Sequence, residues 1–351
     1  MASRILLITP EFYCLENKIK SALEESGFEV VWFENKILTF DYHGTRSKLK
    51  LLRRIYFVLF APHIRYIKEQ LGKIGNQSFD ILFAINGFVA CPYLFKKLKL
   101  KNPGLFSILF LWDSFSMYNW NRELRYFDRV LTFDPEDSKK YHLEYKPNFY
   151  VINNQPIGKN EKYDLFFVGK FNPSRFSVVE KIISQAENAG IKYFVKLWPA
   201  YKIFFHNRLM YILFKKINLG SNWIKNYLLN YEAIEGKIIR EYLMSKSLNY
   251  EEVQHYLMCS NVILDIPFQG QTGYSHRLIE ALVYGKKVIT TNSNIKKESF
   301  YNSEQIYIIY KQNPELDCNW INEKSTFPVD RFFVDLQLST WLKSIINAEI
   351  A

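Results

Sequence analysis

By residue 33 the chain has set out a strand, a helix and a second strand, and that order commits it to a parallel sheet. Arg4–Thr9 is a short apolar run of the kind a buried strand shows. Cys14–Glu25 carries Leu15, Ile19, Ala22 and Leu23 at helical spacing, and Gly27 stops it. Phe28–Phe33 is apolar and β-branched again. Strand, helix and strand in so short a stretch form a βαβ unit, whose strands run parallel.

The same alternation continues. Asp80–Ile85, Phe106–Trp112 and Arg129–Phe133 read as strands, Tyr93–Leu98 as a helix, and Phe149–Asn153 as a further strand. Asn, Gln, Pro, Gly and Lys then cluster over Asn153–Lys162 as a linker. A second series follows, with strands at Tyr163–Val168, Lys192–Leu197, Val262–Ile266, Lys287–Thr291 and Gln305–Ile309. Its helices fall at Val178–Ala189, Tyr250–Met258 and Ser275–Tyr284, and Asn249 with Glu252 spells a capping box before the second of them. The expected organisation is therefore α/β: a first domain over 1–156, a second over 157–332 with an aromatic, lysine-rich insertion near 198–246, and an amphipathic helix within 333–351. At 351 residues the chain holds two domains of ordinary size.

Composition narrows the partners. The four cysteines form no C-x-x-C pair and have no histidine cluster beside them, so reduced core thiols are expected, with no metal site. The first apolar run is cut by Pro10 and Glu11, and no run approaches the ~20 residues that span a bilayer, so a cytoplasmic protein is expected. The net charge of +11 suits an anionic partner: nucleic acid, an anionic membrane surface, or phosphorylated small molecules. Basic and aromatic residues interleave over Thr45–Lys73, with Pro62 expected to divide two helices. That stretch suits peripheral contact with an anionic membrane, or two helices packed on the first domain with solvated lysines.

The chemistry concentrates between Leu264 and Asn292. A buried strand runs into Gly270-Gln271-Thr272-Gly273-Tyr274, and a helix opens near Ser275. A small-residue turn at a helix N-terminus directs backbone N–H groups and the positive end of the helix dipole at one spot, which suits a diphosphate. Arg277 adds a charge-assisted contact, and Glu280, one turn further on, is a carboxylate suited to a ribose diol.

The run Gln271-Thr272-Gly273-Tyr274-Ser275-His276-Arg277-Leu278-Ile279-Glu280-Ala281-Leu282, followed by Lys286-Lys287-Val288-Ile289-Thr290-Thr291-Asn292, resembles the donor-nucleotide segment of GT-B glycosyltransferases. More narrowly it is similar to bacterial capsular or lipopolysaccharide biosynthesis glycosyltransferases. Trp112-Asp113-Ser114, Phe127–Asp134 and Tyr163–Gly169 fit that group as well. The resemblance implies two Rossmann-like domains facing a cleft, with the last helix crossing back to the first domain. It implies donor contacts from Gly169, Lys170, Arg175, Gln271, Thr272, Gly273, Tyr274, Ser275, Arg277 and Glu280. Lys170 and Arg175 would stand on a loop after the first strand of the second domain. The substrates implied are a nucleotide sugar and a glycan or lipid-linked glycan acceptor, with no cofactor, no metal and no nucleic acid. Asp113, at the end of a parallel strand, and Glu11 are candidate bases for the acceptor hydroxyl. Many retaining members carry a second glutamate seven residues before the ribose ligand; here that position is Thr272, so the stereochemical course stays open. Two alternatives remain: a non-hydrolysing sugar-nucleotide epimerase of similar fold, and a nucleic-acid-binding protein.

Overall fold

The computed structural model describes residues 3–12, 14–35, 62–152, 162–198, 211–212, 215, 241–244, 248–323 and 327–346. The chain divides into two units, Met1–Phe149 with Leu336–Ala351, and Tyr150–Asp335. Most of the 198–246 insertion, the linker over 153–161 and the first part of the Thr45–Lys73 stretch lie outside the described residues.

In the first unit the strands are β1 (Arg4–Thr9), β2 (Glu29–Glu34), β3 (Ile81–Ile85), β4 (Phe106–Leu111), β5 (Arg129–Thr132) and β6 (Glu144–Tyr145). They form one sheet in the order β2-β1-β3-β4-β5-β6, and every pairing is parallel. β3 is buried at all five positions, as a strand covered on both faces must be. Helices α1 (Leu15–Glu25), α2 (Pro62–Ile74), α3 (Pro92–Lys101) and α4 (Pro135–Tyr141) belong to this unit. Of the strand expected at Phe149–Asn153, only a single bridge at Tyr150 forms among the described residues. The sixth strand is the exposed pair Glu144–Tyr145 instead. Pro62 opens α2, where a missing N–H costs nothing, and the helix expected before it lies outside the described residues.

The second unit holds β7 (Tyr163–Lys170), β8 (Tyr193–Trp198), β9 (Ser260–Asp265), β10 (Lys287–Thr290) and β11 (Ile306–Ile308), again all parallel, in the order β11-β10-β9-β7-β8. Counted from its own first strand this is 2-1-3-4-5, the order that β1 to β5 also follow. Both units are therefore doubly wound, Rossmann-like domains, and each has a topological switch between its first and third strands. Helices α5 (Pro173–Asn188), α6 (Tyr250–Met258), α7 (His276–Val283) and α8 (Cys318–Asn322) complete it. The capping box at Asn249 and Glu252 forms at the start of α6.

The terminal helix expected over Val334–Ile346 is broken. A 3-10 turn covers Arg331–Leu336, and helix α9 runs from Leu338 to Ile346. Gln337 makes the break, its Oε1 accepting from the backbone N–H groups of Ser339 and Thr340 at the start of α9. Trp341, fully buried, packs its ring against Phe83, Phe110 and Phe149 and donates from Nε1 to the Pro147 carbonyl at 2.8 Å. α9 is thus part of the first unit. The core-thiol expectation is not met in full: Cys91, Cys259 and Cys318 are half-buried, and Cys14 is exposed and takes a left-handed backbone (φ 63°) at the start of α1. No helix among the described residues is long and apolar enough to cross a membrane.

Candidate functional site

In an open parallel sheet, ligands bind beyond the carboxyl ends of the strands, at the switch. In the second unit that place lies between β7 and β9, which end at Lys170 and Asp265.

Asp265 organises it. The carboxylate is 2% exposed and accepts from Ser275 Oγ at 2.7 Å and Thr290 Oγ1 at 3.2 Å. Ser275 is also the N-cap of α7, its Oγ accepting from the Leu278 N–H at 3.1 Å. One hydroxyl therefore ties the end of β9 to the start of α7. Asn292, past β10, holds the intervening turn from the other side by donating to the Thr272 carbonyl at 2.8 Å. The turn that carries Gln271, Thr272 and Gly273 is fixed before any ligand arrives.

Cations gather around the carboxylate. Arg277 Nη1 stands 3.9 Å from Asp265 Oδ1, with the guanidinium 5.0 Å from the centre of the Phe167 ring. Arg175 lies 3.9 Å over the Phe268 ring and donates to the Lys170 carbonyl at 3.1 Å. Gly169 makes room for it: a methyl group there would stand 3.3 Å from the guanidinium and from the Phe167 ring. Lys311, beyond β11, completes the group. Partial burial is the larger cause pushing its ammonium below the ordinary lysine value, and Arg175 adds to it, while Asp265 pulls the other way. Arg175 and Arg277, from the first turns of α5 and α7, thus share the Phe167 ring, and Arg277 and Lys311 both act on the Asp265 carboxylate, an arrangement that favours an anion.

The expected residues are not all brought together. Arg175 is not on a loop. Asn172 caps α5, accepting from the N–H groups of Ser174 and Arg175, and Pro173 follows, so Arg175 sits in the first helical turn. Lys170 closes β7. Tyr274 is turned into the unit, 1% exposed, with its hydroxyl donating to Glu298 at 2.5 Å and its ring against Phe300. Glu280 is 3% exposed, and both its oxygens are engaged: Oε1 by the Tyr250 hydroxyl at 2.7 Å and Oε2 by Gln254 Nε2 at 2.5 Å. A ribose diol meets here a carboxylate that is buried and already accepting from both partners. Sequence reasoning gave no role to Asp265 or Lys311. Asp265 carried the signal of a carboxylate at the end of a parallel strand. Lys311 carried none, since its place depends on which strand neighbours β10.

At the carboxyl edge of the first unit, Glu11 is exposed after β1, and Asp113 is half-buried after β4. The Phe12 and Trp112 rings, 5.4 Å apart, bring the two loops side by side. Asp113 accepts from Asn86 Nδ2 at 2.8 Å. Asn86 follows β3 in the left-handed region (φ 57°), and fully buried Asn35 pins it there. Asn35 donates to the carbonyls of Ile85 and Asn86 at 2.7 and 2.9 Å and accepts from the Val89 N–H at 3.1 Å. Neither asparagine was singled out from sequence. Asn35→Ala is expected to cost about 2 kcal/mol, because it strands buried backbone groups, and urea unfolding of the variant checks this.

No family model and no curated protein matches the chain. Similar solved structures include the apo lipopolysaccharide outer core galactosyltransferase WaaB, at 12% identity over 98% of this chain and 99% of that one, with a TM-score of 0.47. A putative UDP-N-acetylglucosamine 2-epimerase from Listeria monocytogenes aligns at 11% identity over 99% of this chain and 92% of its own, with a TM-score of 0.42. The E. coli heptosyltransferase WaaC with ADP-2-deoxy-2-fluoro heptose aligns at 12% identity over 99% and 100%, with a TM-score of 0.32.

Proposed function

We propose that this chain is a glycosyltransferase that moves a sugar from a nucleotide-activated donor to a glycan or lipid-linked glycan of the bacterial surface. The observation that carries the reading is the gathering of Arg175, Arg277 and Lys311 at the switch between β7 and β9, the two guanidinium groups over the Phe167 ring and Arg277 and Lys311 beside Asp265. The donor diphosphate lies against these cations and the start of α7. As the anomeric bond breaks, negative charge grows on the leaving diphosphate, and fixed cations stabilise it there without a metal. The segment from Gln271 to Leu282 resembles GT-B donor segments, which supports the same placement. The acceptor belongs to the first unit, where Asp113, held by Asn86, is the proposed base.

A thermal-shift panel of UDP-, GDP-, CMP- and ADP-linked sugars tests the donor site. The true donor raises the melting temperature by mass action, by about 2.7 kcal/mol of stability at a hundred times its dissociation constant. No shift with any of them in the millimolar range sinks the reading. Incubating the binding sugar nucleotide without acceptor separates transferase from epimerase: an epimerase converts the donor to its isomer, and a transferase leaves the sugar configuration unchanged.

A further inference from the structure

A cavity lined by lysines lies in the first unit, at the opposite edge of its sheet from Asp113 and Glu11. It has a volume of about 250 Å³ and lies between α2, α3 and the segments that lead into β3 and β4. Lys68, Lys97 and Lys101 line it with Tyr93, Gly72 and Gly75. The Lys68 and Lys97 ammonium groups each stand 5.9 Å from the centre of the same Tyr93 ring. Neither has a carboxylate partner among the described residues. Glu69, the acid nearest in sequence to Lys68, is paired with Lys73 at 3.0 Å.

Lys101 has an ordinary explanation. It donates to the Gly75 carbonyl at 2.8 Å and sits at the carboxyl end of α3, where a cation is favoured. Lys68 and Lys97 do not share it, because they flank the ring nearer the start of α3. Both ammonium groups are exposed and each is attracted to the ring, so two cations stand over one aromatic side chain where an anion can bridge them. Gly72 is the independent sign. A glycine inside a helix is destabilising relative to alanine, and packing does not require one here: a methyl group at Gly72 meets no heavy atom within 4 Å. The missing side chain leaves the cavity open against the helix backbone. The surrounding surface has the same sign. α3 carries Lys96, Lys97, Lys99 and Lys101 and no acid, and Leu100 beside them is 68% exposed.

We propose that this cavity binds a phosphate ester, seated between Lys68 and Lys97 over Tyr93 and beside Gly72. The phosphate belongs either to an anionic lipid headgroup or to a soluble phosphorylated compound, and two probes distinguish the sources. One is glycerol 3-phosphate, followed by calorimetry. The other is vesicle co-sedimentation, comparing phosphatidylglycerol mixed into phosphatidylcholine with phosphatidylcholine alone. Binding only to the charged vesicles assigns the lipid source; binding to glycerol 3-phosphate assigns the soluble one. In either case Lys97→Gln and Gly72→Gln each weaken binding roughly fivefold. Gly72→Gln fills the cavity without changing any charge, so attraction to the basic surface at large does not respond to it. It also replaces glycine by a good helix former, so its melting temperature holds or rises. Failure of both probes to bind the native chain, or unchanged binding in both folded variants, overturns the proposal.

Discussion

Replacing Arg277 with alanine is expected to lower affinity for a nucleoside diphosphate by about 10–100-fold while the fold survives nearly intact. A hydrogen bond to a charged group contributes about 1.5–3 kcal/mol, and the loss of one such guanidinium contact sets that range. The fold should survive the change. Arg277 stands 3.9 Å from Asp265, too far for a hydrogen bond, and the carboxylate keeps the Ser275 and Thr290 hydroxyls when the guanidinium goes. What the fold loses is the contact with the Phe167 ring, about 0.5–1 kcal/mol, and the charge opposite the buried Asp265 and Glu280 carboxylates. Arg277→Lys restores only part of the affinity, because an ammonium offers a point charge where the guanidinium offers a fork. Lys192→Ala is the control. It removes an exposed cation of the same unit from the amino end of β8, and it should leave nucleotide affinity unchanged. Calorimetric titration of the three variants with UDP, or with the nucleotide the donor panel selects, decides the matter. Equal affinity in Arg277→Ala and the parent removes Arg277 from the donor site.

The parallel sheets were legible because their strands are short runs of apolar residues with nothing else to do. β3, β4 and β9 announce themselves in this way. β6 does not: both residues of Glu144–Tyr145 are exposed, and the pair forms because β5 offers an open edge. The start of α5 was readable but misread. Asn172-Pro173 is a cap followed by a proline at the first helical position, and treating it as a loop put Arg175 in the wrong setting. In the candidate site, local order was visible and inward orientation was not. Ser275 falls where a helix cap must fall. Tyr274 stands beside it in a turn that looks like a ligand surface, yet its ring belongs to the core. Nothing within the turn could show that, because its partners, Glu298 and Phe300, come from beyond β10. Glu280 did carry a local warning. It is set among Leu278, Ile279, Ala281 and Leu282, and a carboxylate in such a run is more easily buried than presented.

That burial makes Glu280 the group whose removal the fold should feel most. Its carboxyl is pushed up from 4.5 to about 7, chiefly by desolvation, while the hydrogen bonds from Tyr250 and Gln254 pull it back in part. The folded chain therefore holds a proton that the unfolded chain gives up near pH 4.5. The contribution of this group to stability is highest below that pH, falls as pH rises toward about 7, and levels off beyond it. A shift of this size corresponds to about 3 kcal/mol. Glu280→Gln cannot ionise and still offers a carbonyl to the Tyr250 hydroxyl. It is expected to match the parent within about 1 kcal/mol at pH 5 and to exceed it by about 3 kcal/mol at pH 8. Glu280→Ala strands Tyr250 and Gln254 and leaves a cavity, so at pH 5 it should lose about 2–4 kcal/mol. Denaturant unfolding of parent and variants at both pH values measures these differences. A constant gap between the parent and Glu280→Gln across the two would show that the carboxyl is already ionised, and ordinary, in the fold. Nucleotide affinity of the same glutamine variant separates two roles. An internal support leaves it unchanged, whereas a ribose ligand, which must swing out from behind Tyr250, loses one acceptor and binds roughly tenfold more weakly.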